Sequence, residues 1–80
     1  MTHELKTWCD PYEAILIGIK KCEVRKNDRN FRVGDELRLK EYDHKRERLT
    51  GRYCTVHVTH IVYGGRFGLP EDLCVMSIAP

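Results

Sequence analysis

The hydrophobic period of this chain changes from helical to alternating at Gly18, and that change limits what the chain can build. Ahead of it, Tyr12, Ile15, Leu16 and Ile19 recur at helical spacing, as the stripe of an amphipathic helix does. Asp10-Pro11-Tyr12-Glu13 supplies the start: an N-cap acceptor, proline at the first helical position and a carboxylate three residues after the cap. Gly18 suits the left-handed residue that ends a helix. Beyond it, apolar and polar residues alternate in successive short runs, which is the pattern of strands. Two helical turns do not survive alone in water, so the helix must be held against the sheet that those strands make.

The runs can be taken in order. Residues 3–8 read as a short strand with Leu5 facing in. After Gly18, Cys22 and Val24 alternate with Lys21, Glu23 and Arg25, which predicts the first pair in the core and the charged set outside. Lys26 to Arg32 is a polar loop around Asn27-Asp28-Arg29-Asn30, with Phe31 and Val33 as anchors that tuck back. Gly34-Asp35 turns into residues 36–42, where Leu37 and Leu39 face in and Glu36, Arg38 and Lys40 face out. Residues 43–51 are polar and read either as a solvated hairpin connection or as a second basic finger through Lys45, Arg46 and Arg48. Arg52 to Tyr63 is a long β-branched strand that places Cys54, Val56 and Val58 inside and pairs antiparallel with 36–42. The loop from Gly64 to Pro70 lacks the Lys-Ser/Thr of a phosphate-binding glycine loop. Leu73 to Ile78 closes the sheet. The prediction is one α+β domain over residues 1–80, built on a small, strongly bent sheet or barrel with one early helix.

Composition narrows the function classes. Eighty residues allow a single core near the lower size limit, with no room for separate catalytic and binding domains. A charged fraction of 32% beside 41% hydrophobic residues suits a folded domain and not a disordered one. No apolar run approaches the ~20 residues of a membrane span, and the first residues lack a secretory apolar segment. A cytoplasmic protein with no membrane partner is expected. Cys9, Cys22, Cys54 and Cys74 form no C-x-x-C pair, and the last three read as small buried hydrophobes. His57 and His60 are three apart, so a strand would point them to opposite faces. No metal and no cofactor is expected.

The charge distribution is more informative than the net charge of +2. Residues 20–32 hold six basic side chains against Glu23 and Asp28, a local net of +4. Such a patch marks either a phosphate-bearing partner or a solvated loop. Glu23 and Arg25 share a strand face, and Lys20 lies close by in sequence. The candidate nucleic-acid or ligand-binding set is Lys20, Glu23, Arg25, Lys26, Arg29 and Arg32. Arg25 suits bidentate contact with phosphate or a base edge, Glu23 can accept from a base amino group, and the other cations supply salt-sensitive attraction. Splayed bases would stack on Trp8, Tyr42 or Phe67. The plain alternatives are an exposed Glu23–Arg25 ion pair and a Trp8 that covers the core.

Gly18-x-Lys20-x-x-Glu23-x-Arg25 resembles the G-x-K-x-x-E-x-R signature of ASCH domains, small β-barrels of the PUA-like superfamily. His3-x-Leu5-Lys6, Arg25-Lys26-Asn27-Asp28-Arg29, Val33-Gly34-Asp35, Glu41-Tyr42 and Gly68-Leu69-Pro70 extend the likeness to a family of short, stand-alone ASCH-like proteins of bacteria and their phages. The resemblance implies an α+β fold, a small PUA-like mixed β-barrel of about five strands with one short N-terminal helix, a cleft beside that helix lined by the signature charges, and RNA or a nucleotide or nucleoside as partner. One ASCH branch is an amidohydrolase that deacetylates acetylcytidine. Its catalytic lysine corresponds to Lys20, Glu23 stands where its threonine nucleophile does, and Glu71 is a candidate by location for its glutamate. The expected function is therefore an RNA- or nucleotide-binding module. The alternative is a small amidohydrolase acting on a modified nucleoside, with Lys20 and Glu23 catalytic. A protein-interaction module that modifies a host factor has only small size and charged loops behind it.

Overall fold

Five strands form one continuous sheet, with a single helix laid across one end of it. The computed structural model describes residues 1–80. In chain order the elements are β1 Thr2–Trp8, α1 Cys9–Leu16, β2 Cys22–Lys26, β3 Glu36–Asp43, β4 Arg48–Tyr63 and β5 Leu73–Ala79. The strand order is β1-β3-β4-β5-β2. β1 runs parallel to β3, with Leu5 opposite Leu39 and Trp8 opposite Tyr42. The other three pairings are antiparallel, so the sheet is mixed. The hairpin between residues 36–42 and the long strand after them forms as expected, and β4 starts at Arg48, which shortens the connection to residues 44–47.

The sheet curls until its two edge strands face each other as a half-barrel. No backbone ladder joins β1 to β2; arginine side chains span the gap. Arg25 Nη2 donates to Lys6 O at 2.7 Å and to Thr7 Oγ1 at 3.2 Å, and Arg29 Nη1 donates to Glu4 O at 2.8 Å. Glu4 and Lys6 are two residues apart, so both carbonyls point to the edge of β1 away from β3. The two guanidinium groups thus occupy acceptors that an open sheet edge would leave unpaired.

Inside the curl, Leu5, Phe31, Leu37, Leu39, Val58 and Met76 form the middle of a core cluster that Ile15 joins from the helix. In β4 a register shift between Val58 and His60 changes the strand's phase, so Ile61 and not His60 points inward. Cys74 is fully buried, whereas Cys22 and Cys54 are only partly so. Phe31 anchors the loop before β3: its amide donates to Asn27 Oδ1 at 3.0 Å and its carbonyl accepts from Tyr63 OH at 3.1 Å. Val33, expected to tuck in beside it, is exposed. Buried Asp35 ties the same loop to β1, accepting from Arg32 N at 3.0 Å and bonding His3 Nε2 at 2.9 Å. No helix is long and apolar enough to cross a membrane.

Three local expectations need correction. Trp8, and not Asp10, is the N-cap residue of α1, and no side chain caps it. β1 runs into the helix without a loop, which leaves Asp10 in the first turn, where its charge still suits the helix dipole. Of the expected apolar stripe only Tyr12 and Ile15 are buried; Leu16 is half exposed and Ile19 lies beyond the helix in solvent. The third correction is the largest. In β2, Glu23 is 4% exposed and Val24 53% exposed, so the alternation holds but the faces are exchanged. The charged side of β2 looks into the barrel.

Candidate functional site

The end of α1 sets up the site. Gly18 has φ +86°, a conformation that costs an L side chain about 1–2 kcal/mol. That turn lets the amides of Ile19 and Lys20 both close on Ala14 O at 3.0 Å, which ends the helix in the 6→1 manner of a Schellman cap. Lys20 is thereby held between helix and strand. Its ammonium donates to Cys22 O and reaches Glu23 Oε1 at 3.4 Å. On the other carboxylate oxygen, Arg25 Nε donates to Oε2 at 2.8 Å. Glu23 is therefore a buried carboxylate with a different cation on each oxygen, and Arg25 carries the chain of contacts on to β1.

These three side chains line an open cleft of about 400 Å³ with Lys6, Thr7, Trp8, Pro11 and Val24. The cleft lies at the β1–β2 seam, with the first turn of the helix as one wall. Lys6, Lys20 and Arg25 outnumber the single carboxylate, so the cleft favours an anionic ligand. Lys6 Nζ also lies 4.9 Å from the centre of the Tyr42 ring, over its face. No three His, Cys, Asp or Glu side chains are grouped so as to hold a metal ion.

The sequence-predicted residues divide over the surface. Lys20, Glu23 and Arg25 share the cleft. Arg25, Lys26 and Arg29 meet in a neighbouring hollow of about 240 Å³ beyond the seam, with Asp28 and Phe31. Arg32 lines neither; its amide is committed to Asp35. Among the stacking candidates, Trp8 lines the cleft and is 55% exposed, which overturns its reading as core cover. Tyr42 lies under Lys6, and Phe67 stands in solvent on the β4–β5 loop. Glu71 is exposed on that same loop, outside the cleft.

Sequence reasoning missed a second polar group on the barrel's inner face. Glu41 is buried, accepts from Thr50 Oγ1 at 2.7 Å and forms an ion pair with Arg52, Nε to Oε1 at 3.1 Å. Arg52 also bonds Glu13 Oε2 at 2.8 Å and lies 5.0 Å over the Tyr12 ring, so one guanidinium clamps the helix to β3 and β4. Burial pushes the Tyr12 hydroxyl's pKa up. Cys54, on the same inner face, has its thiol pKa raised, first by burial and then by the charge of Glu23, against a lowering hydrogen bond with Tyr12. The signal was present: Leu37, Leu39 and Glu41 share one strand parity, as do Cys54, Arg52 and Thr50. Extending each apolar run by two residues reaches both partners.

The chain has a named relative and a named family. It is 36% identical over 59 residues to an uncharacterized 12.9 kDa protein in the GpA 3′ region of Escherichia phage P2. That match covers 74% of this chain and 52% of the phage protein, so the chain spans about half the length of the curated relative it matches. Residues 2–78, nearly the whole chain from β1 through β5, match the family described as Domain of unknown function (DUF3850), and the chain belongs to that family.

Proposed function

We propose that the seam cleft is a binding site for a nucleobase-bearing anion, a nucleotide or a residue of RNA, within a PUA-like barrel of the ASCH type. The observation that carries this reading is Glu23, a carboxylate buried between Lys20 and Arg25 in the lining of an open cleft. Burying a charge costs several kcal/mol unless partners compensate it. A surface ion pair would hold β2 in place without that cost, so the arrangement suits recognition of a ligand with both acceptors and donors. Lys20 and Arg25 would meet phosphate, and Glu23 would accept from a ring N–H or amino group. The G-x-K-x-x-E-x-R resemblance supports the same assignment. Arg25 has two tasks here, since its Nη2 also bridges the two edge strands.

Amide hydrolysis is less favoured. The threonine nucleophile of the amidohydrolase branch has no counterpart, since Glu23 stands at its position.

The test is a titration of the isotope-labelled protein with a short single-stranded RNA and with nucleoside monophosphates, followed by amide shifts. Saturable shifts centred on Thr7, Lys20, Glu23 and Arg25 are expected. If about three phosphates are contacted, RNA affinity falls roughly fourfold per doubling of salt, from a slope of about −0.7 per contact. Shifts that cluster elsewhere, or binding indifferent to salt, would refute the assignment. Release of acid from a panel of acylated nucleosides, abolished by Lys20→Ala, would replace it with the hydrolase.

A further inference from the structure

We infer that Trp8, braced from behind by His44, is the stacking wall of this cleft and receives one nucleobase at a time. The inference rests on the reading of the cleft just given and specifies how that site selects its ligand. Trp8 is the only tryptophan in the chain. More than half of it is exposed, yet it is not loose: its indole stacks on the His44 imidazole with centroids 3.8 Å apart and planes 9° from parallel. Trp8 and Pro11 line both the seam cleft and a second hollow of about 270 Å³ that also holds Asp43, His44 and Lys45. His44 lines only that second hollow. The indole therefore borders both hollows, with the imidazole stacked on one face of it.

The backbone fixes this arrangement. Trp8 is the last residue of β1, paired in register with Tyr42, and also the cap residue of α1. The hairpin that carries His44 is pinned by Asp43, whose carboxylate accepts from Lys45 N at 3.1 Å, Arg46 N at 3.2 Å and Arg46 Nη1 at 2.9 Å. A rigid aromatic wall loses little conformational entropy when a ring stacks on it. Lys20, Glu23 and Arg25 stand elsewhere around the same cleft, offering hydrogen-bonding groups and positive charge to a base and its phosphate. A volume of about 400 Å³ is the size of a small-ligand pocket, enough for one nucleotide and too small for a run of stacked bases. A base-paired residue has both faces covered by its neighbours, so the ligand is a free nucleotide or an unstacked residue of a single strand.

Calorimetric titrations of the full chain with cytidine 5′-monophosphate, ribose 5-phosphate and a pentaribonucleotide test this. Cytidine monophosphate should bind more tightly than ribose 5-phosphate and quench Trp8 emission saturably. Trp8→Leu should weaken the nucleotide about 5- to 150-fold, the range expected for one lost base–aromatic stack, and leave ribose 5-phosphate unchanged. Trp8→Phe should restore part of the loss, which a merely misfolded site would not do. His44→Ala should weaken binding by a smaller factor and lower the fluorescence anisotropy of Trp8, because the brace is gone. A pentaribonucleotide that binds more tightly than the monophosphate, with the same dependence on Trp8, identifies RNA as the source of the base; equal affinity identifies the free nucleotide. Full nucleotide affinity in Trp8→Leu would overturn the stacking wall and leave the cleft assignment standing. A wild-type protein that binds none of the three would overturn both.

Discussion

Arg25→Ala should be far more damaging than the loss of an ordinary surface arginine. Its side chain is about a quarter exposed, but its partner Glu23 is only 5% exposed at the side chain. Three bonds go at once: the ion pair to Glu23, and the donations to Lys6 O and Thr7 Oγ1 that bridge the two edge strands. An exposed pair would be worth about 0–1 kcal/mol, and removal of one partner from a fully buried pair costs about 3–5 kcal/mol. Lys20 remains 3.4 Å from the carboxylate, and the seam admits water once the guanidinium is gone. The expected loss therefore lies between those limits, at roughly 2–3 kcal/mol. For a domain of this size the urea slope is about 1 kcal/mol/M, so the unfolding midpoint should fall by about 2–3 M. A second variant separates the orphaned charge from the lost seam. Adding Glu23→Gln to Arg25→Ala removes the uncompensated carboxylate and should return about 1 kcal/mol, whereas Glu23→Gln alone should destabilise. A loss below about 0.5 kcal/mol for Arg25→Ala, or a double variant no more stable than the single one, would refute the argument that a buried charge bridges the edges of this sheet.

Other consequences can be checked on the same unfolding curves. The Asp35 carboxyl is held below its usual pKa: burial pushes it up, but the His3 ring, the Arg32 amide and the Met1 ammonium together pull it further down. A depressed carboxylate contributes stability above its unfolded pKa and loses it as the pH falls through the folded value. The stability advantage of wild type over Asp35→Asn should thus be full at pH 6 and shrink from about pH 4 downward; an advantage independent of pH between 6 and 3 would contradict the assigned cause. Two glycines should differ in kind. Gly18→Ala meets no atom within 4 Å and should cost only the ~1–2 kcal/mol of a left-handed alanine. In Gly64→Ala the new Cβ would stand 2.1 Å from Pro70 O and 2.6 Å from Leu73 O, so the β4–β5 loop must open, with a larger loss and altered amide shifts across residues 64–73. Burial both hides the Cys74 thiol and raises its pKa, so at pH 8 it should react with a thiol reagent only as fast as the domain unfolds, while half-buried Cys22 reacts in the native state.

Much of the architecture could be read from pattern alone. Gly18 as the break between helix and strand, the Leu37–Leu39 inner face, the hairpin from 36–42 into the long strand and the closing strand after Pro70 all follow from local rules. The parallel pairing of β1 with β3 does not. It depends on which distant strand offers a matching edge, and β1 reaches that edge only because α1 and β2 intervene in the chain. Nor does pattern reveal the phase change in β4, where one irregular step between Val58 and His60 moves Ile61 to the inside. A bulge is a matter of one extra residue, and no residue type in Val58-Thr59-His60 demands it.

The exchanged faces of β2 show where pattern reasoning reaches its limit. Alternation establishes that Glu23 and Arg25 share one side and Cys22 and Val24 the other. Assigning the apolar side to the core then assumes that the inside of a barrel is apolar along its whole length. Here the interior changes character along its axis. Leu37 and Leu39 are followed on the same face by buried Glu41, and Val58 and Val56 run back through half-buried Cys54 to Arg52 and Thr50, which reach solvent. β2 sits against this polar end, where Glu23 can be buried because Lys20 and Arg25 come with it. The spacing G-x-K-x-x-E-x-R has a physical reason at this point: the helix stop, the cation delivered by that stop, and the two inward charges of the following strand must arrive together. Separated from Lys20 and Arg25, a buried Glu23 would be an uncompensated charge, at a cost of several kcal/mol to the strand that carries it.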